Sequence, residues 1–286
     1  MPELVNSMQV QATQRNAIDM KMTMQVLVTS VKQSMPQALA ARMNIQGKVL
    51  ICNQASEMGD ICLIAGGSHT RMISTTTVGV GNNRNVGLMY CDADICLLAD
   101  DDMRYVDGYR EMVTKVFDAH PEADVIVFNV ASRNAARALG NVGKNKRASR
   151  TDLSSIGIHG VAARVASIRR ANIWFSPMFG GGAKYGSGED AIFLQDLVKK
   201  GLTVWLCSKT IAYADQSDST WFHGYSEKYF MDKGALFSAA YPRICKIIAL
   251  RSAWRYKLRN EVPALSWRQI YKMMARGIDE YAKAIG

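Results

Sequence analysis

Ile95-Cys96-Leu97-Leu98-Ala99-Asp100-Asp101-Asp102 runs five apolar residues directly into three carboxylates. A run this short and this apolar reads as a strand buried on both faces, and in open α/β sheets ligands bind just beyond the carboxyl ends of such strands. Two aspartates at i and i+2 in a turn can share one hard, oxygen-seeking cation such as Mg2+ or Mn2+; without a cation they repel one another. An exposed, solvated turn is the competing reading of an arbitrary Asp-x-Asp. Here the buried run before it, the upstream stretch Gly79-Val80-Gly81-Asn82-Asn83-Arg84-Asn85-Val86-Gly87 and a downstream acidic pair, Glu189-Asp190, weigh against that reading.

Outward from this strand, further short apolar runs occur at Gln25 to Thr29, Lys48 to Cys52, Arg71 to Thr75, Ala123 to Phe128 and Thr203 to Leu206, with helical stretches between them. Such alternation predicts an α/β sheet covered on both faces. Between Asp107 and Ala119 the apolar residues Tyr109, Met112, Val113, Val116 and Phe117 recur at helical spacing, and in the competing solvated-turn reading Asp107 caps this helix. Asn134 to Arg150 holds almost nothing to bury and reads as a mobile basic loop. Residues 1–22 read as an N-terminal extension and 23–241 as the catalytic domain. Residues 242–286 read as a tail of two basic amphipathic helices divided near Pro263, the second carrying the stripe Trp267, Ile270, Tyr271, Met274, Ile278 and Tyr281.

The chain of 286 residues is 48% apolar and 21% charged, which places it among globular proteins with one sizeable core. Its six cysteines form no C-x-x-C pair, and the pattern predicts reduced, buried thiols in a cytoplasmic compartment. No window reaches the roughly 18 to 20 apolar residues of a membrane span, and no secretion signal is expected. The net charge of +10 calls for an anionic partner.

At Gly180-Gly181-Gly182 three glycines permit backbone to approach a ligand closely, and Glu189-Asp190 open a helix whose buried face is Ile192, Phe193, Leu197 and Val198. Ser187-Gly188-Glu189-Asp190 also reads as a capping box, with its acids favoured by the helix dipole. Local sequence alone leaves those two readings level.

The segment Gly79 to Asp102 resembles the nucleotide-sugar-binding half of family 2 glycosyltransferases, through Arg84-Asn85-Val86-Gly87 and Asp100-Asp101-Asp102. Phe179-Gly180-Gly181-Gly182-Ala183-Lys184-Tyr185, Gly188-Glu189-Asp190 and Ser219-Thr220-Trp221-Phe222 are similar to a bacterial subgroup associated with capsular and exopolysaccharide assembly. The resemblance spans about Met24 to Tyr241. It implies a GT-A fold, a mixed central sheet flanked by helices, here with a C-terminal helical extension. It also implies an inverting transfer of a sugar from a nucleotide diphosphate donor, a UDP-sugar being favoured, to a saccharide or lipid-linked saccharide.

In that reading Asp100 and Asp102 hold Mn2+ or Mg2+, and Asp190 is the base that takes the acceptor's proton. Donor contacts fall to Thr29, Asn53, Gln54, Arg84, Asp100 and Asp101, with Lys228 and Lys233 reaching the diphosphate. Acceptor contacts fall to Gly181, Gly182, Tyr185, Glu189 and Trp221. His223 is a further metal candidate, although a lone histidine among aromatics is more often simply packed. Two departures matter. Cys52-Asn53-Gln54-Ala55-Ser56 stands where the family has Asp-Asp-Gly-Ser, leaving the amide of Asn53 or Gln54 to meet a uracil edge, and Thr29-Ser30 replaces Pro-x-Tyr-Asn.

Two other classes compete. A sugar-phosphate nucleotidylyltransferase would also use a metal on an α/β sheet, but Thr29 to Ser34 lacks its Gly-rich basic loop. A basic nucleic-acid-binding protein would need stacking aromatics among its cations, which Asn134 to Arg150 and Arg243 to Arg276 do not provide on a recognisable platform, so no nucleic acid is expected. The basic aromatic tail instead makes an anionic membrane surface a candidate partner, on the cytoplasmic face, with packing onto the catalytic domain or a second subunit as the alternative.

Overall fold

The structure, a computed structural model, describes residues 22–65, 68–132, 142–215 and 224–286. Its centre is a ten-stranded sheet built from β1 (Met24–Val31), β2 (Lys48–Gln54), β3 (Gly59–Ala65), β4 (Ser68–Thr75), β5 (Ile95–Asp100), β6 (Met103–Tyr105), β7 (Val125–Ser132), β8 (Lys146–Arg147), β9 (Val161–Arg164) and β10 (Val204–Ala214). The order is β3-β4-β2-β1-β5-β9-β7-β10-β6, with β8 paired to β10. β4, β2, β1 and β5 run parallel, as do β7 and β10, whereas β9 lies antiparallel between β5 and β7. This is the expected mixed α/β sheet flanked by helices.

The helices are α1 (Pro36–Arg42), α2 (Val80–Tyr90), α3 (Tyr109–Ala119), α4 (Val165–Arg170), α5 (Glu189–Lys199), α6 (Glu227–Ala240), α7 (Cys245–Leu258) and α8 (Trp267–Ile285). The central strands show why they read as continuous apolar runs. Val26, Val28, Ile95, Leu97 and Ala99 enter one core with Leu39 of α1 and Val113 and Phe117 of α3. Leu27, Cys96 and Leu98 enter the other, with Leu88 of α2 and Phe193 and Leu197 of α5. Burial on both faces removes the apolar-polar alternation that a half-exposed strand would show.

The chain crosses from β1 to β2 by α1 on one face and from β4 to β5 by α2 on the other. The carboxyl ends of β1 and β5, where Thr29 pairs with Asp100, therefore form the point at which winding reverses, the usual ligand crevice of such sheets.

Several local expectations change. Gly108, in the left-handed conformation, caps α3. Asp107 instead accepts from Asn44 Nδ2 at 2.9 Å. Residues 142–150 are anchored: Val142 is buried and exchanges two hydrogen bonds with the Asn129 amide, and Lys146 pairs with Asp152. The remainder of that basic stretch, 134–141, lies outside the described residues, as does the N-terminal extension through residue 21. Five of the cysteines are buried, and Cys62 is exposed.

The two terminal helices divide near Pro263 as expected, but the apolar stripe of the second is covered. Ile270, Met274 and Ile278 of α8 are buried in a small separate core with Phe230 of α6 and Cys245, Ala249 and Ala253 of α7. No helix among the described residues is long and apolar enough to cross a membrane.

Candidate functional site

A cleft of about 370 Å³ opens at the reversal point, lined by Thr29, Ser30 and Val31 of β1, Gln54 of β2, Val80 and Asn83 of α2, Asp100 and Asp101, and Gly181. β5 ends at Asp100, and the turn into β6 carries Asp101 and Asp102, so parallel pairing of β1 with β5 fixes all three carboxylates at the sheet edge. Thr29 Oγ1 donates to Asp100 Oδ1 at 3.0 Å, and Ser30 Oγ donates to Asp101 Oδ2 at 2.7 Å.

Behind the cleft lies Arg84, with a side chain only 5% exposed. Its guanidinium donates to Asp100 Oδ1 at 3.0 Å, Glu189 Oε1 at 3.2 Å and Asp190 Oδ1 at 2.5 Å. Burial opposes the Arg84 charge, but Asp190, Asp100 and Glu189 outweigh it and raise its pKa. Burial likewise works against the Asp100 carboxylate, yet Arg84 and then His159 hold it below the usual range. One planar fork thus ties the end of β5 to the start of α5, a task suited to guanidinium geometry.

The rest of the Arg84-Asn85-Val86-Gly87 motif has structural work too. The Asn85 amide exchanges hydrogen bonds with the Phe175 backbone at 2.8 and 2.9 Å. Gly87 lets α2 approach β2, where an added Cβ would stand 3.2 Å from Cys52 Sγ.

Asp190 has its second oxygen on Ile158 N–H at 3.1 Å and remains partly open to solvent. Glu189 is more enclosed. Burial first, and the neighbouring Asp190 charge second, push its pKa up, and its second oxygen accepts from Gly188 N–H at 3.1 Å. The capping-box reading does not hold, because the N-cap is Gly188 at φ 118° and no side chain caps the helix. Gly180 is required by both conformation and space: its φ is 103°, and a Cβ there would lie 2.7 Å from the Glu189 carboxyl carbon.

Asp102 sits among like charges. Burial first, then the charges of Asp100, Asp101 and Asp215, push it up to about 6. Among the described residues no three histidine, cysteine or acidic side chains form a preset metal cage. The all-oxygen donor set and its mutual repulsion nonetheless fit a hard divalent cation.

The other residues singled out in the sequence divide between the cleft and the structure around it. Asn53 is buried and its amide is used on the Gln33 backbone and Ser74 Oγ, so it braces a loop and does not face the cleft. Gln54 lines the cleft while its Oε1 accepts from Gly79 N–H at 3.0 Å. Arg84 is an internal counter-ion and lies outside the cleft lining. Gly181 borders the cleft and accepts from Val80 N–H, whereas Gly182 packs on Val78 and Gly79. Tyr185 is buried, stacked on Phe179 and edge-on to Tyr281, so it shapes the loop from beneath. Lys228 is paired with Asp232 and donates to Lys184 O, and Lys233 lies over the Tyr229 ring; neither lines the cleft. Trp221 and His223 lie outside the described residues.

The site also contains residues that the sequence reading passed over. Ser30 and Asn83 line the cleft, and Asn83 Oδ1 is a buried acceptor without a partner among the described residues, while its Nδ2 donates to Ser30 O. Such an atom calls for a ligand or water. Asn83 lies within the Gly79 to Gly87 stretch and Ser30 directly follows Thr29, so local sequence carried a signal for both. His159, which adds to the lowering of the Asp100 pKa, had no signal around it.

These features define a mixed α/β fold with an acidic cleft at the reversal point of its sheet. The chain shares that fold with S. aureus TarS. The residue 1–349 form solved in complex with UDP-GlcNAc aligns at a TM-score of 0.61 and 12% identity, covering 92% of each chain. The same form in complex with UDP aligns at 0.57 and 13%, again over 92% of each. The longer TarS structure aligns at 0.55 and 15%, over 91% of this chain and 54% of that one. No protein-family model and no curated protein sequence matches the chain.

Proposed function

We propose that this protein is an inverting glycosyltransferase that moves a sugar from a nucleotide diphosphate donor, a UDP-sugar being favoured, to a saccharide hydroxyl. The observation that carries the reading is the pairing of Arg84 with both the strand-end Asp100 and Asp190, which sets the acidic cleft beside a carboxylate on a separate element. The TarS structures with UDP-GlcNAc and UDP support the donor class.

In this reading Thr29, Ser30, Gln54 and Asn83 bind the nucleotide, the free Asn83 Oδ1 accepting a donor hydroxyl or amide. Asp100 and Asp102 would hold Mn2+ or Mg2+, which supplies positive charge to the departing diphosphate. Asp190 accepts the acceptor hydroxyl proton as that oxygen attacks the anomeric carbon; its oxygens retain lone pairs beyond those used by Arg84 and Ile158. Glu189 holds Arg84 and the Gly188 N–H at the start of α5 in place.

A panel of nucleotide sugars tests this by thermal shift and by nucleotide release with saccharide acceptors, each with and without Mn2+. A UDP-sugar should stabilise the protein and UDP should be released on acceptor addition, giving product of inverted configuration. Stabilisation by none of the nucleotide sugars, or pyrophosphate release from a nucleoside triphosphate with sugar phosphate, would overturn the reading in favour of a binding protein or a nucleotidylyltransferase.

A further inference from the structure

The second terminal helix, α8, has its apolar stripe covered, but α7 presents one that is not. Cys245, Ala249 and Ala253 face the bundle core. At 3.6 residues per turn, Ile247, Leu250, Trp254 and Leu258 run down the opposite side. They are 68%, 45%, 52% and 69% exposed, and Trp267 at the start of α8 extends the strip, its ring 6.0 Å from that of Trp254.

The same helical wheel sets Lys246 and Lys257 along one edge of the stripe and Arg251 and Arg255 along the other, with Arg243 and Arg259 at its ends. No acidic residue occurs from 243 to 259.

We propose that this outer face of α7 docks on an anionic lipid bilayer, with Ile247, Leu250, Trp254 and Leu258 entering the interface and the flanking cations meeting headgroup phosphates. An apolar strip bordered on both edges by basic residues is the form of a helix lying in the interface plane. Charge selects the lipid surface over a second copy of the chain, since a two-fold contact would set the same cations against themselves. The strip also leads back to the cleft region. α8 begins at Trp267 beside Trp254, and about 21 Å further along the same helix, at its 1.5 Å rise per residue, Tyr281 packs on Phe179 and Tyr185 beneath the glycine loop. The inference stands independently of the transferase reading.

The test is co-sedimentation of the full chain with vesicles of equal phosphatidylglycerol and phosphatidylcholine, against pure phosphatidylcholine, at low and high salt. Binding should require the anionic lipid and weaken with salt. Arg251→Ala with Arg255→Ala should lower partitioning about 30-fold at an unchanged melting temperature, because both residues are exposed, and Leu250→Ser with Trp254→Ser should lower it at least about tenfold with helical content retained. Lys115→Ala, on the exposed side of α3, should change nothing. Equal recovery in the supernatant with both vesicle types would overturn the proposal. So would binding insensitive to both double variants, or sedimentation equilibrium showing a dimer that the Leu250 and Trp254 substitutions dissociate, or a salt-sensitive gel shift with RNA in place of vesicle binding.

Discussion

Arg84 and Asp190 stand 106 positions apart in the chain and meet at 2.5 Å, with Asp100 on the other arm of the same guanidinium at 3.0 Å. One buried cation therefore spans the strand that carries the acidic turn and the helix that carries the proposed base. Because Arg84 is enclosed while Asp100 and Asp190 are partly open, the carboxylates can meet a ligand and the arginine positions them.

Replacing Arg84 tests this directly. Arg84→Ala leaves three clustered carboxylates without their shared cation, and breaking a buried pair of this kind costs about 3 to 5 kcal/mol. Arg84→Lys keeps the charge but cannot serve Asp100, Glu189 and Asp190 together, so it should fall between the parent and Ala. Urea unfolding of both variants gives the order; a Lys variant as stable as the parent would mean that fork geometry is unimportant here.

Asp190→Asn should separate catalysis from structure. A general base contributes about 10² to 10⁴-fold in rate. The variant also loses one of two charge-assisted contacts, because an amide cannot accept from both Arg84 and Ile158 N–H, at about 1.5 to 3 kcal/mol. Donor affinity should hold while transfer nearly stops. Turnover close to the parent's with reduced stability would assign Asp190 a purely structural role.

Asp102 makes stability depend on pH in the absence of divalent cations. Its folded pKa of about 6 lies above the carboxylate's ordinary 3.8, so the folded chain binds more protons than the unfolded chain between those values. The stabilising contribution is complete below the ordinary value and is lost as pH rises through about 6. Melting temperatures in chelator should therefore decline across that window, and Asp102→Asn should lessen the decline, leaving the part that comes from Glu189, whose pKa is raised as well. At pH 7.5 the parent should gain stability from Mn2+ that the variant does not; equal gains in both would remove Asp102 from the metal site.

The crossing of α6 and α8 rests on two glycines. A Cβ on Gly234 would fall 1.9 Å from Met274 O, and one on Gly277 would fall 1.9 Å from Met231 O. Backbone cannot yield as a side chain tip does, so Gly277→Ala should force the helices apart and cost about 1 to 3 kcal/mol or more, as overpacking does. The intrinsic preference of alanine for helix, about 1 kcal/mol in the other direction, makes the sign informative. A rise in melting temperature would contradict the close crossing.

The sequence by itself determined the parts whose signal is local. Apolar runs from Met24 to Leu206 marked the central strands because both their faces are buried, and Asp100 to Asp102 were legible as a ligand edge because they follow such a run. The last helix was legible from periodicity. Only the tertiary structure decided which partner each polar group and each helix face takes. Asn53 turned inward to brace a loop, Arg84 became a shared counter-ion, and β9 entered antiparallel between β5 and β7. The stripe on α8 was covered by α6 and α7 while that on α7 was left open. Apolar patterning states that a face must be buried, but a hydrogen bond or an ion pair depends on atoms brought within about 3 Å from distant positions, and nothing in the spacing of one segment specifies the other.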